Sequence, residues 1–275
     1  MNFSSRVVLG LVHHEEPERT RSQKTQAELI VKGLGQAGIE AITVESFAQN
    51  LRNPQDLPIA TVRFQVFLRQ LSQEFHHLRE FRRRRNAPLT IPVRKRRQAV
   101  ARVLSLVRDR RSALHCFERL EIEAALSTKH LKVWQKVADS DVVGAIILED
   151  DFYLRRKSSP LELGALIDRE SANYDLIDLA GGLSRESLGL PDAPGQDLSL
   201  RYLVANTTCA YFISKRACIR LMRLVESRPQ LVFLAPDFLI TELNAFGFSG
   251  SSLLPHDLPL IHGSREGTVE SSIPY

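Results

Sequence analysis

Glu149, Asp150 and Asp151 are three consecutive carboxylates at the end of an apolar run, Ala145-Ile146-Ile147-Leu148, and the aromatic residues Phe152 and Tyr153 follow at once. Like charges this close repel unless something positive joins them, and a hard divalent cation with oxygen ligands does so directly. Along an extended chain Glu149 and Asp151 point to one side and Asp150 to the other. Two acids can then reach a metal while the third faces a ribose, a donor hydroxyl or a supporting backbone group. Taken alone, the pattern reads equally well as a charged turn after a strand.

Other residues widen the set. In "NYDLIDLAGG", Asp175 and Asp178 stand three apart and face opposite ways along a strand. Asp175 reads as a strand-start residue, and Asp178, among apolar neighbours, is the one to point into the same crevice. Asp237, in "APDFLITELN", sits at a helix start. There it is either a first-turn carboxylate favoured by the helix dipole or a general base for an acceptor hydroxyl. His256 and His262 flank "DLPLI", and a histidine can complete a metal site otherwise built from carboxylates. Ser264, Arg265 and Ser271 offer donors for phosphate or sugar oxygens. The Gly33–Gly35–Gly38 series closes a helix and so is not a phosphate loop, and the sequence motifs of dinucleotide-binding, P-loop, serine hydrolase and zincin sites are missing.

The elements that must position these residues follow the pattern of an open α/β sheet. "RVVLGLV" (6–12) and "IEAITVE" (39–45) read as strands around a helix over about 20–36. A helix is expected over 59–81, another from "RKRRQAVARVLSLVRDRR", and a third over 121–140. "DVVGAIIL" (141–148) has the composition of a central strand. A helix capped by Ser159 with Pro160 in first position is expected next. A strand over 174–182, a loop over 189–197, and two short strands or one bent one over 201–214 come after it. Ser214 then caps a helix, and 236–247 forms another. The segment from Pro259 reads as an irregular tail.

Composition sets the frame. The chain has 275 residues, 43% hydrophobic and 25% charged, which suits one globular domain. No apolar run is long enough for a membrane span, and the first twenty residues lack the features of a signal peptide, so a soluble, cytoplasmic protein is expected. Cys116, Cys209 and Cys218 lack metal-site spacing and read as ordinary reduced residues. Charge is unevenly spread: 13 of the 37 Lys/Arg residues, but only two of the 32 acids, lie between Arg79 and Arg111. The segment 79–111 therefore reads as a basic helical insertion in a mildly acidic domain. It suits an anionic membrane surface, which would make the protein peripheral on the inner face of the membrane, or an anionic substrate. A solvated, partly disordered insertion is the plainer reading. Few aromatics interleave with the arginines and no nucleic-acid motif accompanies them, so no nucleic-acid partner is expected.

Taken in order, "EAALSTKHLKVWQKVADSDVVGAIILEDDFYL", "YDLIDLAGG", "NTTCAYFISKRACIRLM", "PDFLITELN" and "HGSREGTVESSI" resemble the family 25 glycosyltransferases, which include bacterial lipooligosaccharide and collagen galactosyltransferases. The likeness covers roughly residues 121–275. The family's Ser-His pair appears here as Ser127-Thr128-Lys129-His130, so only His130 carries over, and the stretch before it lacks the usual glycine.

The resemblance implies a GT-A fold, an open mixed sheet flanked by helices in a single domain. It implies a nucleotide-sugar donor, a Mn²⁺ or Mg²⁺ cofactor and inversion at the anomeric carbon. It makes Glu149, Asp150 and Asp151 the acidic metal and donor site and carries His130 over to the donor side; the residues' own chemistry adds His262 to the metal with Asp151 and Asp150, and Asp178, Ser264 and Arg265 to the donor. Asp237 becomes the catalytic base facing a glycan or glycolipid acceptor. The expected activity is transfer of a sugar, galactose favoured, from a UDP-sugar to a surface glycan such as lipopolysaccharide or capsule. The alternative is a catalytically degenerate binding module that works through the basic segment.

Overall fold

A computed structural model describes residues 5–13, 17–46, 57–84, 91–182, 193–205 and 208–263, with 185, 188, 190 and 191. The fold is α/β. It starts with β1 (Ser5–Val12), α1 (Pro17–Gln36) and β2 (Ile39–Ser46). Three helices follow: α2 (Ile59–Arg84), α3 (Val93–Arg108) and α4 (Arg110–Ala138). Then come β3 (Gly144–Glu149), β4 (Phe152–Leu154), α5 (Ser159–Glu170), β5 (Leu176–Asp178), β6 (Leu198–Leu200), β7 (Ala210–Ser214) and α6 (Lys215–Ser227). The described chain closes with α7 (Pro236–Ala245), β8 (Ser252–Leu254) and β9 (Leu260–His262).

Seven strands form a mixed sheet in the order β2-β1-β3-β7-β5-β8-β6. β1 pairs in parallel with β2 and β3, whereas β7 runs antiparallel between β3 and β5. β3 is thus where the pairing changes sense, and the C-terminal end of such a strand is where open α/β sheets bind ligands. A separate two-stranded sheet, β4 with β9, sits beyond that end.

Strand alternation divides the core into two layers. Val7, Leu9 and Leu11 pack with Ala27, Ile30 and Leu34 of α1 and with Leu163 and Ile167 of α5. Val8 and Val12 face the other way, toward Val133, Trp134 and Val137 of α4 and Leu221 of α6. Two glycines set how closely the helices approach. A Cβ on Gly10 would lie 2.6 Å from Val133 Cγ1, so Gly10 lets α4 settle onto β1. A Cβ on Gly33 would lie 2.3 Å from the Pro160 carbonyl oxygen, so Gly33 lets α1 cross α5.

Several expectations shift. The helix expected over 121–140 is the second half of a 29-residue α4 that begins at Arg110, because Asp109 caps it by accepting from Ser112 N at 2.7 Å. α5 begins at Ser159, with Ser158 as the residue before it; the Ser159 hydroxyl accepts from Arg156 N at 3.0 Å and caps nothing. Ser214 does cap α6, accepting from Ala217 N at 3.1 Å. Among the described residues of 201–214 only Ala210–Ser214 is strand, and the segment read as an irregular tail contains β9. β6 and β8 were not expected either; three residues are too few to show a period. The basic stretch is spread over the end of α2, the start of α4 and all of α3. α2, α3 and the first half of α4 share a small core of Val62, Val66, Val107, Phe117 and Leu120. Among the described residues, no helix is long and apolar enough to cross a membrane.

The two glycines of α1 separate packing from propensity. Gly33→Ala forces the Pro160 backbone to move and should lower stability by about 1–3 kcal/mol. Nothing lies within 4 Å of a Cβ on Gly35, so Gly35→Ala should raise stability by up to about 1 kcal/mol. Urea unfolding of the two variants reads the difference, and similar midpoints would contradict it.

Candidate functional site

The chain turns immediately after β3, so the three carboxylates do not continue along an extended line. Each meets different company. Glu149, level with Val12 of β1, holds its main chain to β7 through Glu149 N to Cys209 O at 2.8 Å. Its carboxylate Oε1 lies 3.1 Å from His130 Nε2. His130 is fully buried on α4, and its Nδ1 is 2.7 Å from the Tyr211 hydroxyl. Trp134, one turn further along α4, donates its indole N–H to the same hydroxyl at 3.2 Å. An indole can only donate, so the Tyr211 oxygen accepts that bond. An ionised carboxylate can only accept, so His130 Nε2 donates to Glu149, and in that neutral tautomer Nδ1 accepts from the Tyr211 hydroxyl.

Asp150 is turned into the protein and is only 5% exposed. Its charge acts on His13, at the end of β1. His13 is buried too, and burial pulls its pKa below the ordinary value, with Glu45 and Asp150 pulling upward and Lys24 and Lys129 downward. The Lys129 ammonium, also buried, donates to the His13 carbonyl oxygen at 2.6 Å. A small charged group therefore closes the ends of β1 and β2 beside the acidic turn.

Asp151 faces the two-stranded sheet. Its Oδ2 is 3.4 Å from His262 Nδ1, and its carbonyl oxygen accepts from Gly263 N at 2.7 Å. The β4–β9 ladder places Phe152 opposite His262 and so holds this register. Cys209, just before β7, completes a group: one ligand atom each from Asp151, Cys209 and His262 lie within 4.8 Å of one another. These three could hold a metal ion. Burial pushes the Cys209 thiol well above its ordinary pKa, and the carboxylates of Asp151, Glu149 and Asp178 push it further. Without a cation the thiol stays protonated.

Asp237 occupies the first turn of α7, where its Oδ1 accepts from Phe238 N at 2.9 Å. Burial raises its pKa to about 6; the Phe238 bond and His76 oppose the rise, and Glu123 and Glu149 add to it. Behind it, His76 Nδ1 is 2.5 Å from Glu242 Oε1, Arg79 donates to the same oxygen at 2.6 Å, and the His76 ring stacks on Phe238 at 4.6 Å.

Of the residues singled out in the sequence, Glu149, Asp151, His130 and His262 therefore gather at the end of β3, with Asp237 near enough to feel Glu149. Asp150 lies next to them in the chain but outside the metal-capable group. Asp178 serves the turn after β5, its Oδ1 accepting from Ala180 N at 3.1 Å and Gly181 N at 2.9 Å. Asp175 sits at the opposite end of the sheet, bound by Ser214 and Arg216 at 2.8 Å each. His256 is exposed in a loop, its Nδ1 accepting from Gly195 N at 3.3 Å. Ser264, Arg265 and Ser271 lie outside the described residues.

Cys209, Tyr211, His13, Lys129, His76 and Glu242 were not foreseen as site residues. The cysteine was read as ordinary because its partners lie far away in sequence. The only local signal was the one-turn spacing of His130 and Trp134 on a helix.

Tyr211→Phe tests the buried chain of bonds. It leaves the Trp134 N–H and His130 Nδ1 without their shared partner, and the expected loss is about 1–3 kcal/mol in chemical denaturation. An unchanged unfolding midpoint would contradict the arrangement.

Compared with protein-family models and with curated proteins, the chain matches none.

Proposed function

We propose that this protein is a metal-dependent, inverting glycosyltransferase of the GT-A type, close in kind to family 25, that moves a sugar from a UDP-sugar to a hydroxyl of a surface glycan such as lipopolysaccharide or capsule. Galactose is the favoured sugar. The observation that carries the reading is the metal-capable Asp151–Cys209–His262 group at the C-terminal end of β3, with Glu149 beside it.

The donor set bears on the ion. Asp151 is a hard oxygen ligand and His262 a nitrogen ligand, a combination more suited to Mn²⁺ than to Mg²⁺, which prefers oxygen alone. Cys209 is the third ligand of the group and would give up its proton on binding the ion. When bound, such a cation supplies Lewis-acid neutralisation of the departing diphosphate.

The protein's own residues do the rest. His130, fixed by Tyr211 and Trp134, directs its N–H at Glu149 and keeps that carboxylate oriented toward the donor side. Asp150, with His13 and Lys129 behind it, closes the floor. Asp237 takes the proton from the acceptor hydroxyl as the new bond forms at the anomeric carbon from the face opposite the diphosphate. A carboxyl raised to about 6 is ionised at neutral pH and is a stronger base than an ordinary aspartate.

A screen of nucleotide-sugars for metal-dependent hydrolysis tests the reading and identifies the donor. Activity with a UDP-sugar and Mn²⁺ is expected, lost with chelator and lost in Asp151→Ala. Hydrolysis of none of the donors would favour the binding-module alternative.

The base has its own signature in transfer to an acceptor. Because Asp237 must be deprotonated, kcat/KM should rise with pH through about 6 and level off above it. Asp237→Asn should lower the rate about 10²–10⁴-fold and abolish that limb. A variant that keeps the limb would assign the base elsewhere.

A further inference from the structure

We infer that the outer face of α2 and α3 is a docking surface for an anionic phospholipid bilayer. α2 carries two stripes. Val62, Val66, Arg69, Gln73 and His76 face inward, as the Arg69–Glu121, Gln73–Glu123 and His76–Glu242 contacts show. Phe64, Leu68, Leu71, Phe75 and Leu78 repeat the same four-and-three spacing two residues on. Two residues turn a helix by roughly 200°, so this second stripe lies on the opposite side. Phe64 is 62% exposed and Leu68 47%. None of the five belongs to a hydrophobic cluster among the described residues.

α3 lies beside α2 and runs against it. The Arg63 guanidinium donates to the Arg108 carbonyl oxygen at 2.8 Å, and Arg102 pairs with Glu74. That register sets Leu104, 40% exposed, level with Leu68 and brings the first turns of α3 beside the last turns of α2. Those first turns carry Arg94, Lys95 and Arg97, all exposed and without an ion-pair partner among the described residues. Arg82, Arg83 and Arg84 end α2.

An apolar stripe that is exposed at Phe64 and Leu68, half-buried at Leu71, Phe75 and Leu78, and bordered by unpaired cations matches the boundary between acyl chains and anionic headgroups. A second copy of this chain would bring two arginine clusters together, at a cost in repulsion. Nucleic acid would leave the aliphatic Leu68, Leu71 and Leu78 without a role. The inference deepens the proposed function by naming a surface that would hold the enzyme near a lipid-linked acceptor, yet vesicle binding can be read without any activity.

The test is co-sedimentation of the full chain with phosphatidylcholine vesicles, with and without phosphatidylglycerol, at low and high salt. Binding is expected only to the anionic vesicles and should weaken as salt rises. Combined Arg94→Glu, Lys95→Glu and Arg97→Glu substitution should lower the affinity by about 100-fold or more. Phe64→Ser with Leu68→Ser should lower it as well, with the circular dichroism spectrum unchanged. Phe64→Trp should shift its emission to the blue on anionic vesicles alone. Equal binding to both vesicle types, binding to neither, or a Phe64-dependent dimer that ignores vesicles would overturn the inference. Vesicle binding by a protein that hydrolyses no nucleotide-sugar would uphold it and count only against the glycosyltransferase reading.

Discussion

Three carboxylates at the end of a buried strand cannot stay charged in one water-poor corner unless each has its own partner, and the rest of the site is arranged around that constraint. Glu149 has a histidine, itself held by a tyrosine and a tryptophan. Asp150 is enclosed beside the buried His13 at the end of β1, on which its charge acts. Asp151 has a histidine from a strand more than a hundred residues later and a neighbouring thiol. The turn directly after Glu149 makes this division possible, because it sends neighbouring side chains toward three different elements.

The fold supplies those partners by close approach on both faces of the sheet. Gly10 allows α4 onto β1, which brings His130 and Lys129 to the strand ends. The reversed strand β7 enters at the same edge, so Cys209 and Tyr211 arrive just where β3 finishes. β9 adds His262 from the far side through only three paired residues. The acidic turn thus rests on contacts made by α4, β7 and β9, each distant from it in sequence.

This explains which parts were legible beforehand. Strands β1, β2 and β3 have enough apolar residues to announce themselves, and the cap at Ser214 is a local feature. The acidic triplet is visible as a conflict between burial and charge, while His130 gained its assignment from resemblance alone. What stayed hidden is non-local. β6, β8 and β9 are three residues each and form only through pairing with distant strands, the first two in the main sheet and the third with β4. Cys209 looked inert because nothing near it in the chain binds metal. Asp178 and Asp150 have structural surroundings that residue type alone did not show: backbone N–H groups engage one oxygen of the first, and the protein interior encloses the second.

The central claim is that the end of β3 receives a cation together with a nucleotide diphosphate. Calorimetric titration of the protein with UDP, in the presence and absence of Mn²⁺, addresses it without requiring an acceptor or knowledge of the sugar. Binding that needs Mn²⁺ and disappears in Asp151→Asn is the predicted result. UDP binding of equal strength with and without the ion, unaffected by that substitution, would contradict the account.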